Sequence, residues 1–178
     1  MKEFNDLNLQ DLRWVESGSW SSRQELHNAD DEVIATMQKQ SWWKNTYEVD
    51  APGNRWLFVP QGFFNRRVEI ISAGTGDLVT TFYYKGMGGG GELTLPDGRI
   101  FQWKSISFWG NKWAWLEGEA GDTDPVIGFE TGGWFRARAD LTFDEDANFP
   151  ALLVFLGWYL HTIKRQETAA ATTVVIAT

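Results

Sequence analysis

Apolar and polar residues alternate one for one near the C-terminal third of the chain. The apolar positions Phe135, Ala137, Ala139, Leu141 and Phe143 are separated by Arg136, Arg138, Asp140 and Thr142. A period of two is that of a strand with one buried face and cannot be placed on one face of a helix. The pattern therefore predicts a strand over 135–143.

Turn sequences rich in Gly, Pro, Asn and Asp recur between short apolar runs. The dipeptide Asp97-Gly98 supplies the positive φ angles of a tight hairpin and predicts pairing of 93–95 with 100–103. The same logic pairs 68–71 with 78–84, and it pairs 106–109 with 113–116 across Gly110. Runs of this kind predict roughly eleven sequential antiparallel strands and no βαβ units.

One segment, 149–165, breaks this pattern and predicts a helix. Asp144, Asp146 or Asn148 is suited to cap it, and Pro150 suits its first turn. Its apolar residues occupy every face, which indicates burial on all sides. The unbroken apolar run, 151–160, is about half of the ~20 residues that cross a bilayer, so a core helix is favoured over a membrane span.

A wholly buried helix in a β protein requires a sheet that surrounds it, and a closed barrel also removes free strand edges. We therefore predict a mainly β fold, a closed antiparallel barrel of about 12 strands around one C-terminal helix. The alternative is a β-sandwich with one packed helix. Residues 1–166 would form this single domain, and 167–178 a loose tail or a final strand.

Composition narrows the possible functions. The formal charge of −8 disfavours nucleic acid as a partner, because a negative surface repels phosphates. The absence of Cys excludes disulfides, thiolate metal sites and a cysteine nucleophile. The first six residues carry acids and no apolar run, so we expect neither a signal peptide nor a transit peptide and place the protein in the cytoplasm, with peripheral membrane attachment as an option.

Many hairpin strands followed by one apolar helix resemble the tubby C-terminal-like superfamily, which includes tubby domains, plant LURP-one-related proteins and phospholipid scramblases. The turn at Asp30-Asp31, the segment 33–35, Lys39 and the segment 47–50 are similar to the paired early strands of that family, and 151–160 is similar to its terminal helix. The resemblance spans about residues 12–165 and implies a twelve-stranded barrel with the helix as its axle. Members of the superfamily bind phosphoinositides, scramble lipids or are uncharacterised, so the resemblance implies one of these functions without selecting it. The Cys cluster and the calcium loop of scramblases do not occur in this sequence. The basic lipid-binding residues of tubby domains have no matching motif here.

No residue set in the sequence predicts a catalytic centre, a cofactor site or a metal site. The glycine run 86–91 is not followed by the Lys-Ser/Thr pair of a phosphate-binding loop, so we expect a flexible connection between strands. His27 and His161 lack metal-ligand spacing; the first is expected at the surface and the second to bond a carbonyl in the last turn of the helix. The acidic groups 122–124 and 144–146 lack the remainder of a calcium loop.

The 11 Trp and 12 Phe residues are too many to be core residues on alternating strands, so part of the aromatic surface is expected to be exposed. A candidate contact surface for a membrane or a protein partner consists of Trp42, Trp43, Phe63, Phe64, Arg66 and Arg67. The alternative is a strand edge with ordinary surface arginines. The sequence thus favours a non-catalytic binding module for lipid headgroups, with a protein–protein interaction module as the alternative and a ligand carrier or enzyme as the least favoured.

Overall fold

The structure is a computed structural model that describes residues 11–17, 23–41, 44–62, 66–86, 88–118, 124–132 and 137–176, with side chains up to residue 171. In this part of the chain, twelve strands precede one helix. They are β1 (Arg13–Glu16), β2 (Arg23–His27), β3 (Val33–Lys39), β4 (Tyr47–Ala51), β5 (Asn54–Gln61), β6 (Arg67–Ser72), β7 (Leu78–Tyr84), β8 (Gly91–Thr94), β9 (Ile100–Ser105), β10 (Lys112–Glu117), β11 (Pro125–Gly132), β12 (Arg138–Phe143) and α1 (Leu152–Ile176).

Each strand pairs antiparallel with its successor in sequence, and β1 pairs with β12 to close the barrel. The closing register sets Trp14 opposite Ala139, and both side chains are buried. In β12, Ala137 just before the strand, Ala139 and Leu141 are buried while the intervening residues are exposed. The predicted fold class, the alternation around β12 and the pairings of β6 with β7 and of β8 with β9 are confirmed.

Helix α1 fills the barrel. Its side chains are buried from Ala151 to Leu160 and again at Thr162 and Ile163. Phe155 contacts both Trp14 of β1 and Trp56 of β5, and Tyr159 contacts Tyr47 of β4. The helix therefore contributes the centre of the core, and no hollow barrel remains for a large ligand in the described structure.

Two close contacts fix the position of the helix. The indole Nε1 of Trp115 donates a hydrogen bond to the carbonyl of Leu153, 2.8 Å away. A Cβ on Gly157 would lie 2.6 Å from the ring of Phe129 and 2.9 Å from Trp115 Nε1, so only glycine allows the helix to pack this closely against β10 and β11.

The helix differs from its predicted extent at both ends. It begins at Leu152, after Pro150, so Ala151 precedes its first residue and the predicted caps Asp144, Asp146 and Asn148 lie too far upstream. Asp144 instead accepts the backbone N–H of Asp146 in a turn. At the other end, residues 167–176 continue the helix where the sequence predicted a loose tail or a strand.

The segment 106–109 was predicted to be a strand, and that prediction is wrong. Strand β9 ends at Ser105 and β10 begins at Lys112, so this segment lies in the connection between them. Gly110 has φ +69°, which ends the extended conformation and turns the chain.

Candidate functional site

The up-and-down order of strands divides the connections between the two ends of the barrel. We call one the aromatic end; it has the connections 17–22, 40–46, 62–66, 85–90, 106–111 and 133–137. We call the other the acidic end; it has the connections 28–32, 52–53, 73–77, 95–99, 118–124 and 144–151. Helix α1 enters at the acidic end and leaves at the aromatic end, where Lys164 contacts Gly88.

The sequences of these two sets of connections differ sharply. Those of the aromatic end contain no Asp or Glu, but they do contain four basic residues, Lys44, Arg66, Lys85 and Arg136. They also contain nine Trp and Phe residues: Trp20, Trp42, Trp43, Phe63, Phe64, Phe108, Trp109, Trp134 and Phe135. Those of the acidic end contain one basic residue, Arg99, and one Phe, Phe149. Its acidic residues are Asp30, Asp31, Glu32, Asp77, Asp97, Glu119, Asp122, Asp124, Asp144, Glu145 and Asp146.

Phe108 and Trp109 project from the aromatic end. Their relative exposures are 94% and 86%, higher than those of the other large hydrophobic residues that the structure describes as exposed. The two rings contact each other edge to face with centroids 5.4 Å apart. Two adjacent aromatic side chains with this exposure are uncommon on a surface that contacts only water, so they are a candidate contact site.

Hydrogen bonds hold this exposed pair in place from both sides of the turn. Ser107 Oγ donates to Asn111 Oδ1 at 2.9 Å and accepts the backbone N–H of Lys112 at 3.0 Å. The carbonyl of Asn111 accepts both the backbone N–H and the hydroxyl of Thr131 on the neighbouring strand, at 2.7 and 2.9 Å. The exposure of Phe108 and Trp109 is therefore built by the turn and does not reflect a loosely attached segment.

Lys164 of the helix ties two connections of the aromatic end together. Its ammonium donates to the carbonyl of Gly88 at 2.7 Å and lies 4.1 Å from the ring centroid of Trp113. Trp113 in turn donates from Nε1 to the carbonyl of Gly110 at 2.9 Å. Burial lowers the pKa of Lys164, because desolvation disfavours the charged ammonium. The described part of the predicted flexible glycine connection thus contacts the helix.

Polar contacts close the barrel around the emerging helix. Gln166 donates to the hydroxyl of Tyr47 at 2.9 Å, and burial raises the pKa of that phenol. Arg165 lies 3.4 Å from the carboxylate of Glu16, which also accepts the backbone N–H of Ala137 at 3.1 Å. These contacts seal the core beneath the aromatic end.

Basic residues also occupy several strand ends here. The strand residues nearest the aromatic end include Arg23, Lys39, Arg67, Lys112 and Arg138. Three of these bases pair with a glutamate: the Arg23–Glu25 distance is 3.1 Å, Arg67–Glu69 is 3.5 Å and Lys112–Glu130 is 3.1 Å. Glu25 and Glu69 lie two residues farther along their strands, so Arg23 and Arg67 are closer to the end than these two acids. Glu16, the last residue of β1, and Glu130, opposite Lys112, are acids at the same level as the bases.

The predicted contact residues are partly within the described structure. Arg66 and Arg67 are exposed at the aromatic end, where the connection 62–66 meets the start of β6. Trp42, Trp43, Phe63 and Phe64 lie outside the described residues.

Sequence reasoning missed the role of Phe108 and Trp109, because an apolar run beside Gly110 was assigned to a strand. The sequence did contain a signal: successive connections alternate between sequences rich in Trp and Phe and sequences rich in Asp and Glu. The alternation becomes visible once the strands are numbered in order.

Other candidate groups have structural roles. His27 donates from Nδ1 to the carboxylate of Asp31 at 2.8 Å. His161 does not lie in the last turn, and its Nδ1 is buried with no hydrogen-bond partner, contrary to the expected carbonyl bond. Burial, with Arg165 and Lys164 nearby, lowers the pKa of His161 to about 4. Within the described residues, no group of three or more His, Asp or Glu side chains is placed to hold a metal ion.

A cleft of about 470 Å³ lies at the acidic end beside the start of the helix. Trp56, Leu95, Arg99 and Leu152 are among its lining residues. Arg99 is bonded to Asp97 at 2.8 Å and to the carbonyl of Asn148 at 2.6 Å, so its charge serves the turn.

Comparison of the chain with protein families, with curated proteins and with solved structures gave no match. Of the helical residues that the structure describes, none form a segment both long and apolar enough to cross a membrane.

Proposed function

We propose that this protein is a non-catalytic module that binds a membrane surface through its aromatic end and contacts anionic lipid headgroups there. The observation that carries the proposal is the Phe108–Trp109 pair, held fully exposed by the hydrogen bonds of its own turn. Trp is enriched at the bilayer interface, where its apolar ring and its polar N–H are both accommodated, and an exposed Phe adds apolar area that can be buried there.

The charge distribution supports a lipid surface as the occupant. The whole chain has a formal charge of −8, which would be repelled by an anionic membrane. The charged residues in the connections of the aromatic end are nevertheless all basic, and they include the exposed Arg66, which the exposed Arg67 follows. Approach with this end forward brings cations to the headgroups and keeps the acids at the far end of the barrel.

We also propose that the protein has the architecture of the tubby C-terminal-like superfamily. The order of twelve antiparallel strands followed by a helix through the barrel supports this resemblance. The proposed contact surface does not depend on that relationship, because it is argued from this chain's own connections.

The experiment is co-sedimentation with vesicles of phosphatidylcholine containing about a quarter phosphatidylserine. The variant Phe108→Ser, Trp109→Ser should bind at least about tenfold more weakly, because burying one large aromatic side chain is worth about 2 kcal/mol. The control is Leu78→Ser, which removes an exposed large apolar side chain at the acidic end and should leave binding unchanged.

Equal binding by all three proteins would contradict the site. A wild-type chain that ignores vesicles but forms a complex with a protein through Phe108 and Trp109 would replace the lipid proposal with a protein–protein interaction.

A further inference from the structure

Helix α1 is longer than the barrel that contains it. Its last fully buried side chain is Ile163, Lys164 and Arg165 are half-buried, and the side chains of 166–171 are exposed. The backbone remains helical to Ile176. Residues 164–176 therefore form a helical projection that is about 20 Å long at 1.5 Å per residue.

This projection leaves the barrel through the aromatic end. Lys164 reaches Gly88 in the connection 85–90, and Gln166 reaches Tyr47 at the first position of β4. Both contacts lie at the level of the connections, so the residues that follow extend beyond them. The projection and the Phe108–Trp109 pair consequently lie on the same side of the barrel.

The sequence of the projection changes character along its length. Lys164, Arg165 and Glu167 are its charged residues, and residues 168–178 contain no charge. Small or apolar residues dominate after that point: Ala169, Ala170, Ala171, Val174, Val175 and Ile176. The hydroxyl of Thr168 donates to the carbonyl of Lys164 at 3.0 Å, so this polar group is satisfied within the helix.

We infer that residues 168–176 insert as a helix into the membrane leaflet that the aromatic end contacts. The inference rests on the proposed function and names a second element of the same site. A helix satisfies its backbone hydrogen bonds except for the last four carbonyls, so far fewer backbone groups are unpaired in hydrocarbon than in an open strand or loop.

The depth follows from the length of the stretch. Nine residues of helix extend about 14 Å, close to the roughly 15 Å thickness of one hydrocarbon leaflet. The segment anchors the protein in one leaflet and does not reach across the bilayer. Aromatic side chains at the interface and a helix within the leaflet would hold the barrel upright on the surface.

The absence of Cys allows a direct test by nitroxide labelling at single introduced cysteines. The labelled positions are Ala170→Cys on the projection, Ile106→Cys beside the aromatic pair, and Ala29→Cys at the acidic end; all three native side chains are exposed. Power saturation with oxygen and with a water-soluble nickel chelate measures the depth of each label on the vesicles described above.

On vesicles, the label at 170 should become accessible to oxygen and protected from nickel, more strongly than the label at 106. The label at 29 should remain as accessible to nickel as in solution. A label at 106 that enters the interface while the label at 170 stays aqueous would overturn this inference and leave the proposed function intact. No change at either position, with no co-sedimentation, would overturn both.

A second variant tests the same inference without a label. Ala170→Asp places a charge in the projection, far from the barrel core, and should weaken vesicle binding at least about tenfold because a carboxylate is costly in hydrocarbon. Ala29→Asp makes the same change at the acidic end and should bind as the wild type does. Equal binding by both variants would contradict insertion.

Discussion

The two ends of the barrel are built by the same device and present opposite chemistry. At each end a cation from one element binds a carbonyl of another: Lys164 to Gly88 at the aromatic end, and Arg99 to Asn148 at the acidic end. Beyond these bonds the similarity stops. One end carries exposed rings and basic side chains, whereas the other carries carboxylates in tight turns such as the one at Asp97-Gly98.

This difference shows that the barrel does not fix the composition of the connections at its two ends. Any connection that satisfies its backbone groups can join two strands, so the composition of each end is free to serve another purpose. The acidic end shows what a turn needs, mainly Gly, Pro, Asn and Asp. The Trp and Phe residues of the aromatic end exceed that need, and the following changes measure what they and the charges around them contribute.

The largest expected effect is a dependence of the free energy of unfolding on pH, caused by His161 in the part of the helix near the aromatic end. His161 is half-buried with its Nδ1 atom enclosed, and burial, with Arg165 and Lys164 nearby, lowers its pKa from 6.5 to about 4. Between these values the unfolded chain binds a proton that the folded chain rejects, so stability should fall as pH falls from about 6.5 to 4, by an amount on the order of 3 kcal/mol.

Urea denaturation at several pH values measures this dependence. The variant His161→Phe should lose most of this change in stability between pH 6.5 and 4, because phenylalanine does not bind a proton. The substitution breaks no hydrogen bond of Nδ1, since that atom has no partner. A wild-type chain with constant stability between these pH values would show that His161 is not a buried neutral group.

The charge difference between the ends is tested by two matched double variants. Arg66→Glu, Arg67→Glu should weaken binding to anionic vesicles roughly 30-fold or more, because each basic residue near the surface is worth about 1 kcal/mol. Arg13→Glu, Arg55→Glu makes the same change in net charge toward the acidic end and should have a much smaller effect. Vesicle binding at low and high salt is the measurement, and equal losses would mean that only net charge matters.

The two cation-to-carbonyl bonds provide the next comparison. Lys164→Met and Arg99→Met should each lower the free energy of unfolding by about 1 kcal/mol, the usual contribution of one such bond. Only Lys164→Met should also weaken vesicle binding. Lys164 packs on Trp113, and Trp113 donates a hydrogen bond to Gly110 in the turn that presents Phe108 and Trp109. A loss of binding in both variants would point to general destabilisation.

The smallest effect is expected from the carboxylates of the acidic end. Hydrogen bonds from Arg99 lower the pKa of Asp97, and a hydrogen bond from Arg13, with one from His27, lowers that of Asp31. Both groups stabilise the fold above the ordinary Asp pKa of 3.8, and this contribution is lost as pH falls through the lowered values. Asp97→Asn should reduce that acid sensitivity slightly and leave vesicle binding unchanged; a change in binding would assign the acidic end a role in recognition.

Much of the fold follows from local patterns in the sequence. Three local patterns each correspond to one feature of the structure: the alternation around Ala139 to β12, the turn at Asp97-Gly98 to the β8–β9 hairpin, and the apolar run 151–160 to α1. Closure follows from them, because a helix that is apolar on every face must be surrounded.

The errors occurred where tertiary contacts decide between local alternatives. The segment 106–109 has strand-like composition, but Thr131 on the adjacent strand binds Asn111 and fixes a turn there. Residues 167–176 resemble a loose tail, yet Ala is the strongest helix former and neither Gly nor Pro interrupts the run, so a helix already held by the barrel continues. The contact of Lys164 with the glycine connection joins residues 76 positions apart and left no local signal.

The central position of α1 also sets the order of assembly. The helix follows all twelve strands in sequence, so a ribosome releases every strand before the element that fills the barrel. Strand β1 cannot find its partner β12 until more than a hundred residues have been made, and such distant contacts slow folding. Until the helix has been made, the aromatic inner faces of the strands have no helix to pack against, so the unfinished chain is the species most exposed to aggregation.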